Sequence, residues 1–225
     1  MIPGIRENRI DGDLTGNAMI PVPDIATVRI GGDHGFRPIQ ADQPDKLFEK
    51  TRKSVLDQEG EFEWIISLDS RTPNRFIQQI ITDSRMKVVN CDIRDTFDRI
   101  ELEEPWVITS RLDNDDLYLP GAVLAIQSCF TNAEIIVDLR YYQKKRRKLY
   151  SSGTEVDGWV RPNPNSPFLS LIEKTNKEKI RTAFARPHNL MTNEYKGVWP
   201  TNDVLAYQVI HGANAANKIV GREVK

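Results

Sequence analysis

Cysteine and histidine are scarce in this chain: Cys91 and Cys129 are the two cysteines among 225 residues, and there are three histidines. That excludes a disulfide framework and a Cys/His zinc cage, since neither cysteine sits in a C-x-x-C or Cys/His spacing. Both cysteines have apolar flanks, the setting of inert buried thiols. A run of about 18 apolar residues is also missing, so no transmembrane helix is expected. The opening stretch MIPGIRENRIDGDLTG has no apolar core of a secretory signal, and a cytoplasmic location is expected. Charge of one sign is lacking as well: 31 basic against 32 acidic residues leave −1, which gives no global attraction to nucleic acid or anionic membrane. With 13 glycines, 13 prolines and 39% hydrophobic residues, the chain is neither collagen-like nor disordered. No internal repeat is visible.

What is present is an alternation of strand and helix signals. Residues 1–24 are rich in Gly, Pro, Asn and Asp and read as an irregular arm. IATVRI (25–30) reads as a strand with a turn at the following GG. DKLFEKTRKSVLDQ (45–58) places Leu47, Phe48, Thr51, Val55 and Leu56 on one helical face, with Gly60 as the C′ residue. EFEWIISLDS (61–70) reads as a strand buried on both faces. Thr72 and Pro73 open a helix carrying Phe76, Ile77, Ile80 and Ile81. MKVVNCDI (86–93) and WVITS (106–110) read as strands. Pro120 opens a helix to Phe130, and EIIVDLRYY (134–142) reads as one strand. Beyond it, 144–160 is a hairpin or excursion, 161–167 a Pro/Asn loop, and PFLSLIEK (167–174) a short helix. TAFARPHNLM (182–191) reads as a loop or edge strand, and 203–218 as an amphipathic stretch ending in a turn. The alternation predicts an α/β fold with a mostly parallel sheet, whose ligands bind at the carboxyl ends of the strands.

The densest chemistry lies in ITSRLDNDDLYLP (108–120), where Asp113, Asp115 and Asp116 crowd together just after an apolar strand. Carboxylates this close repel one another, and a hard cation relieves the cost. Oxygen ligands suit Mg²⁺, Mn²⁺ or Ca²⁺, and D-x-D spacing lets one or two side chains reach the same ion while its other positions hold a diphosphate. An acidic turn stabilised by local hydrogen bonds is the alternative. An EF-hand is disfavoured, because the required Gly and Glu offsets are unfilled.

The string SRLDNDD resembles the TRLDNDD signature of a rhamnosyltransferase-like family of GT-A-fold glycosyltransferases. LFEKTRKSVLDQ followed by FEWIISLDSRTP resembles that family's first helix and second strand. NSPFLSLIE and VIHGANAAN resemble two later segments in the same order, so the likeness spans about residues 25–218. The resemblance implies a single GT-A-like, Rossmann-like α/β domain over 25–225, with a mostly parallel central sheet and a mixed C-terminal part. It implies a metal-dependent glycosyltransferase using a nucleoside-diphosphate sugar, with an acceptor (saccharide, protein or modified nucleic acid) that the sequence does not identify. A catalytically idle glycosyltransferase-like binding module and a metal-dependent phosphohydrolase are the alternatives.

Carried over residue by residue, the resemblance implies that Asp113 and Asp115 bind Mn²⁺ or Mg²⁺ against the donor diphosphate. His211 matches the terminal H-G and would complete the metal shell; a structural histidine is the other reading. Asp69, closing the second strand, would hold base or ribose, or cap a turn. Arg111 would neutralise phosphate or pair with Asp113. An inverting transfer needs a base at the acceptor hydroxyl, with Glu173 the first candidate and Asp203 the second. Glu173 is otherwise a helix-surface residue paired with Lys177. Two stretches depart from the family: the N-terminal arm, and GGDHGFRP after the first strand. Finally, RYYQKKRRKLY (140–150) has six basic and no acidic residues, whereas 92–116 has nine acidic and three basic, a net −6. The basic run is either a solvated hairpin tip or, interleaved with Tyr141, Tyr142 and Tyr150, a surface for an anionic acceptor.

Overall fold

The computed structural model describes residues 28–32, 46–68, 80, 83–89, 104–151, 153–156, 159–162, 166–175, 180–191, 193–210, 219 and 222–224. The expected N-terminal arm, most of the helix opened by Thr72, Cys91, Asp69 and His211 lie outside them.

Strand β1 (Val28–Gly32) includes both glycines placed in a turn by the sequence. Helix α1 (Lys46–Leu56) follows, then β2 (Phe62–Ser67), β3 (Met86–Val89) and β4 (Trp106–Arg111). These strands form a parallel block in the order β3-β2-β1-β4. Gly60 is not the C′ residue of α1, since the helix stops at Leu56. It takes a φ of 97° in the following turn, the left-handed region glycine tolerates.

Past the short strand β5 (Leu117–Tyr118), helix α2 (Ala122–Ser128) starts after Gly121 rather than at Pro120. No side chain of its own segment caps it. Instead the Val123 N–H donates to Gln58 Oε1 at 3.3 Å, so the end of α1 satisfies the start of α2.

The expected strand over 134–142 is two strands in two sheets: β6 (Ile135–Asp138) and β7 (Tyr141–Lys145). The chain turns the corner at Leu139–Arg140. Strand β8 (Lys148–Ser151) returns on β7, and β9 (Gly153–Val156) pairs with β10 (Trp159–Pro162), the hairpin excursion expected there.

The segment read as a short helix is strand β11 (Leu169–Lys174). It inserts antiparallel between β4 and β6, with Leu169 through Glu173 all buried. A short apolar run with two buried faces has no period that separates strand from helix. Helix α3 (His188–Met191), β12 (Gly197–Val198) and β13 (Ala206–Val209) complete the described elements.

The main sheet therefore runs β12-β6-β11-β4-β1-β2-β3, with only β11 reversed. Its central part is parallel, and as a whole the sheet is mixed. A second sheet, β5-β13-β7-β8, has one parallel pair, β13 with β7. Alternation along the strands splits the core into two faces. Trp64, Ile66, Ile108, Val137 and Ile172 face α1 and α2 with Val55, Val123 and Ile126. On the other face, Ile65 packs on Phe184, and Ile136 and Leu171 pack on Ala183 and Met191. No helix among the described residues is long and apolar enough to cross a membrane.

Candidate functional site at the carboxyl end of β4

Strand β1 lies between β2 and β4, so the connection order reverses beside it, and the crevice such reversals leave lies off the carboxyl ends of β1 and β4. Gly31 stands level with Arg111 there, and the acidic turn begins two residues after Arg111. The sequence pattern and the topology thus lead to the same edge of the sheet.

The turn is tight: the Asp116 N–H donates to the Asp113 carbonyl at 3.1 Å. Helix α1 holds it from outside with one polar face. Thr51 Oγ1 donates to the Asn114 carbonyl at 2.9 Å, Ser54 Oγ accepts the Tyr118 N–H at 3.3 Å, and the Gln58 amide donates to the Leu119 carbonyl at 3.0 Å. These neutral bonds fix the backbone without using a charge of the turn.

The three carboxylates occupy different environments. Asp113 and Asp115 are half-buried, while Asp116 is 1% exposed, with Oδ1 accepting the Val209 N–H at 2.8 Å. Burial holds the Asp116 carboxyl well above the usual range; the negative charges of Asp113 and Asp115 add to this, and the Val209 bond opposes it. Asp116 is thus a tie between the turn and β13, a role the sequence reading missed. The signal was its phase: Asp116 stands two residues before Tyr118 of β5, and both are buried.

Aromatic rings pack behind the turn. Tyr118 and Tyr141 lie 6.4 and 5.3 Å from the Phe168 ring, and the Tyr118 hydroxyl donates to the Arg111 carbonyl at 3.2 Å. Burial, then the charges of Asp138 and Asp116, push the Tyr141 phenol up to about 12. Tyr141 is therefore core and not part of a surface for an acceptor.

Arg111 points to the other face of the sheet. Its guanidinium sits 5.5 Å from the Phe184 ring centre and is 3.4 Å from the Arg186 carbonyl; no carboxylate among the described residues pairs with it. The expected Arg111–Asp113 pair is not formed.

The two proposed bases are not at this edge. Glu173 is 0% exposed and stands level with Val107, near the start of β4. Its Oε2 and Oε1 accept the N–H groups of Arg181 and Thr182 at 2.9 and 2.7 Å. Thr182 has a φ of 61°, a backbone state a β-branched residue seldom adopts, and Glu173 braces it. From Val107 to Arg111 is four strand steps, about 13 Å. Glu173 is thus not a base at the acidic turn, and it stands on a buried strand rather than a helix surface; Lys177 lies outside the described residues. Asp203 is exposed and closes a turn with Thr201, whose hydroxyl donates to Asp203 Oδ2 at 3.0 Å. It precedes β13, whereas the tie to Asp116 is at Val209, the far end of that strand, about 20 Å along an extended chain.

Among the described residues, no three His, Cys, Asp or Glu side chains converge as a metal set. Cys129 is half-buried, and burial pushes its thiol up, as an inert thiol requires.

No family model matches this chain, and no curated protein matches it, so the family resemblance rests on the quoted motifs. Among solved structures, 4-diphosphocytidyl-2C-methyl-D-erythritol synthase from Anaerococcus prevotii is similar over 82% of this chain and 90% of that one. The identity is 14% and the TM-score 0.43, a degree of likeness that carries no argument about chemistry.

Proposed function

We propose that this protein is a metal-dependent transferase that binds a nucleoside-diphosphate sugar at the carboxyl end of β4, in a GT-A-like domain. The observation that carries the reading is the position of the D-x-D turn at the topological switch point of a parallel block. A two-carboxylate set fits the cation: Mg²⁺ is usually held by one or two carboxylates plus substrate phosphates rather than by a closed protein cage. Burial first, and then the negative charges of Asp113 and Asp115, lift the Asp116 carboxyl, and a cation at the turn would offset that repulsion. Asp113 and Asp115 would hold Mn²⁺ or Mg²⁺, with His211 as a further ligand and Asp69 toward the nucleoside. The cation would supply charge stabilisation for the leaving diphosphate.

The chain's own groups account for the rest. Thr51, Ser54 and Gln58 hold the turn rigid, which limits the cost of ordering it around a ligand. Arg111, which has no carboxylate partner among the described residues, lies on the other face of the sheet over Phe184, and would meet an anionic group of the donor only where the donor extends past the end of β4 to that face.

A thermal-shift screen of UDP, GDP and dTDP, each with and without Mn²⁺, tests the reading. At 100 times the Kd a ligand stabilises by about 2.7 kcal/mol, or about 5–10 °C for a chain of this size. Stabilisation by at least one diphosphate, dependent on Mn²⁺, is expected. No shift with any of them, or equal shifts in EDTA, contradicts the reading.

A further inference from the structure

A second concavity lies outside the acidic turn, between α1 and the small sheet. It is an open groove of about 710 Å³, within the range of small-molecule sites. Its floor is apolar: Leu56, Leu117, Leu119, Pro120 and Tyr207. Its rim is charged. Arg52 pairs with Glu49, and Lys53 with Asp57 at 2.5 Å, so the groove's two acidic residues are already engaged. Lys50 and Lys144 remain, and no carboxylate among the described residues pairs with either. Two lysines from elements far apart in sequence thus line one groove together with this apolar floor. Lys144 also leads into the exposed hairpin tip of Lys145, Arg146 and Arg147, which widens the positive field at that end.

We infer that this groove binds an amphiphile with a single phosphate head and an apolar chain, a phosphate-headed lipid, with the head at Lys50 and Lys144 and the chain on the leucine floor. The chemistry of the floor selects this occupant. A nucleic-acid strand needs aromatic faces on which bases stack. Of the two rings that line the groove, Tyr118 is buried against Phe168, and Tyr207 already has the Lys144 ammonium 4.9 Å from its centre. Aliphatic side chains reward a hydrocarbon chain instead, because burying apolar surface is non-directional. A free phosphate would leave the floor wet. The inference does not rest on the function proposed for the acidic turn, whose carboxylates take no part in it; β5, on the groove's edge, begins one residue after Asp116.

The test is calorimetric titration of the full chain with dodecyl phosphate below its micelle concentration. Inorganic phosphate, uncharged dodecyl maltoside and a single-stranded oligonucleotide are titrated in parallel. Saturable one-to-one binding of dodecyl phosphate is expected, with the other three at least about tenfold weaker. Lys50→Glu with Lys144→Glu should weaken dodecyl phosphate about tenfold or more, since each lysine near an anionic head contributes. Leu117→Gln should weaken it while leaving the rim charges in place, and circular dichroism melts confirm that the variants fold. Equal affinity in the double lysine variant, binding of inorganic phosphate as tight as that of dodecyl phosphate, or preference for the oligonucleotide would each overturn the inference.

Discussion

Replacing Glu173 by Gln separates two roles for the same residue. As a base at the acceptor, Glu173→Gln would lower transfer by about 10²–10⁴-fold and leave stability nearly unchanged. The geometry requires the reverse. Glu173 is fully buried, and its two oxygens accept the Thr182 and Arg181 N–H groups at 2.7 and 2.9 Å. Gln keeps one acceptor oxygen and turns an NH₂ group toward the other backbone N–H. One hydrogen bond to a charged acceptor is lost, about 1.5–3 kcal/mol, and a buried donor is left facing another donor, a further 1–3 kcal/mol or so. Removing a buried charge returns part of that cost, so a net loss of about 2–4 kcal/mol is expected, or about 5–15 °C in Tm. Urea unfolding followed by Trp fluorescence reads the effect through the buried Trp64. The loosened loop carries Phe184, which lies under Arg111, so diphosphate affinity should fall modestly and not vanish. A loss of less than about 0.5 kcal/mol, within the range of a neutral surface change, would refute this reasoning.

Asp116→Asn should raise Tm near neutral pH. The folded carboxyl titrates well above 3.8, so the folded state keeps a proton that the unfolded state has released. Wild-type stability therefore falls as pH rises from about 4 toward the folded value, whereas Asn has no proton to lose. Melting curves at about pH 4 and pH 7 should show the gap opening with pH, and a gap that closes instead contradicts the assignment. Thr51→Val removes the hydroxyl that holds the Asn114 carbonyl, costing about 1 kcal/mol in denaturant titration and weakening diphosphate binding; a change in neither rules out the clamp. Gly60→Ala forces a Cβ to within 2.6 Å of Gln127 Oε1 at a φ of 97°, and should cost at least about 1–2 kcal/mol by the same titration. An unchanged midpoint would show that the turn relaxes freely.

Much of the fold was legible because local signals and tertiary context agree. WVITS, FEWIIS and MKVV are apolar runs of strand length and stand as adjacent parallel strands or their neighbours across β1. The acidic turn was legible for the same reason, as polar residues packed against the end of such a run. Where burial is two-sided, the pattern loses its period. Leu169–Glu173 has no exposed face and was read as a helix, which carried Glu173 to the wrong surface. The break at Leu139–Arg140 has no glycine or proline to mark it, because both residues continue an extended chain while the sheet changes. The placement of Asp203 depended on which end of β13 meets Asp116, a long-range pairing that no local pattern encodes. The groove beside α1 is a meeting of Lys50 with Lys144, residues with strands β2 to β6 between them in the chain, and only the fold brings them together.

The most direct test of the central claim is calorimetric titration of the full chain with a nucleoside diphosphate, in Mn²⁺ and in EDTA, alongside Asp115→Ala. A D-x-D turn at the carboxyl end of β4 that shares a cation with the diphosphate predicts tight binding only with the metal present. It also predicts that Asp115→Ala, on a half-buried residue of a turn held by Thr51, keeps the fold and abolishes the metal dependence. Equal affinity in EDTA, or metal-dependent binding undiminished in Asp115→Ala, would contradict it.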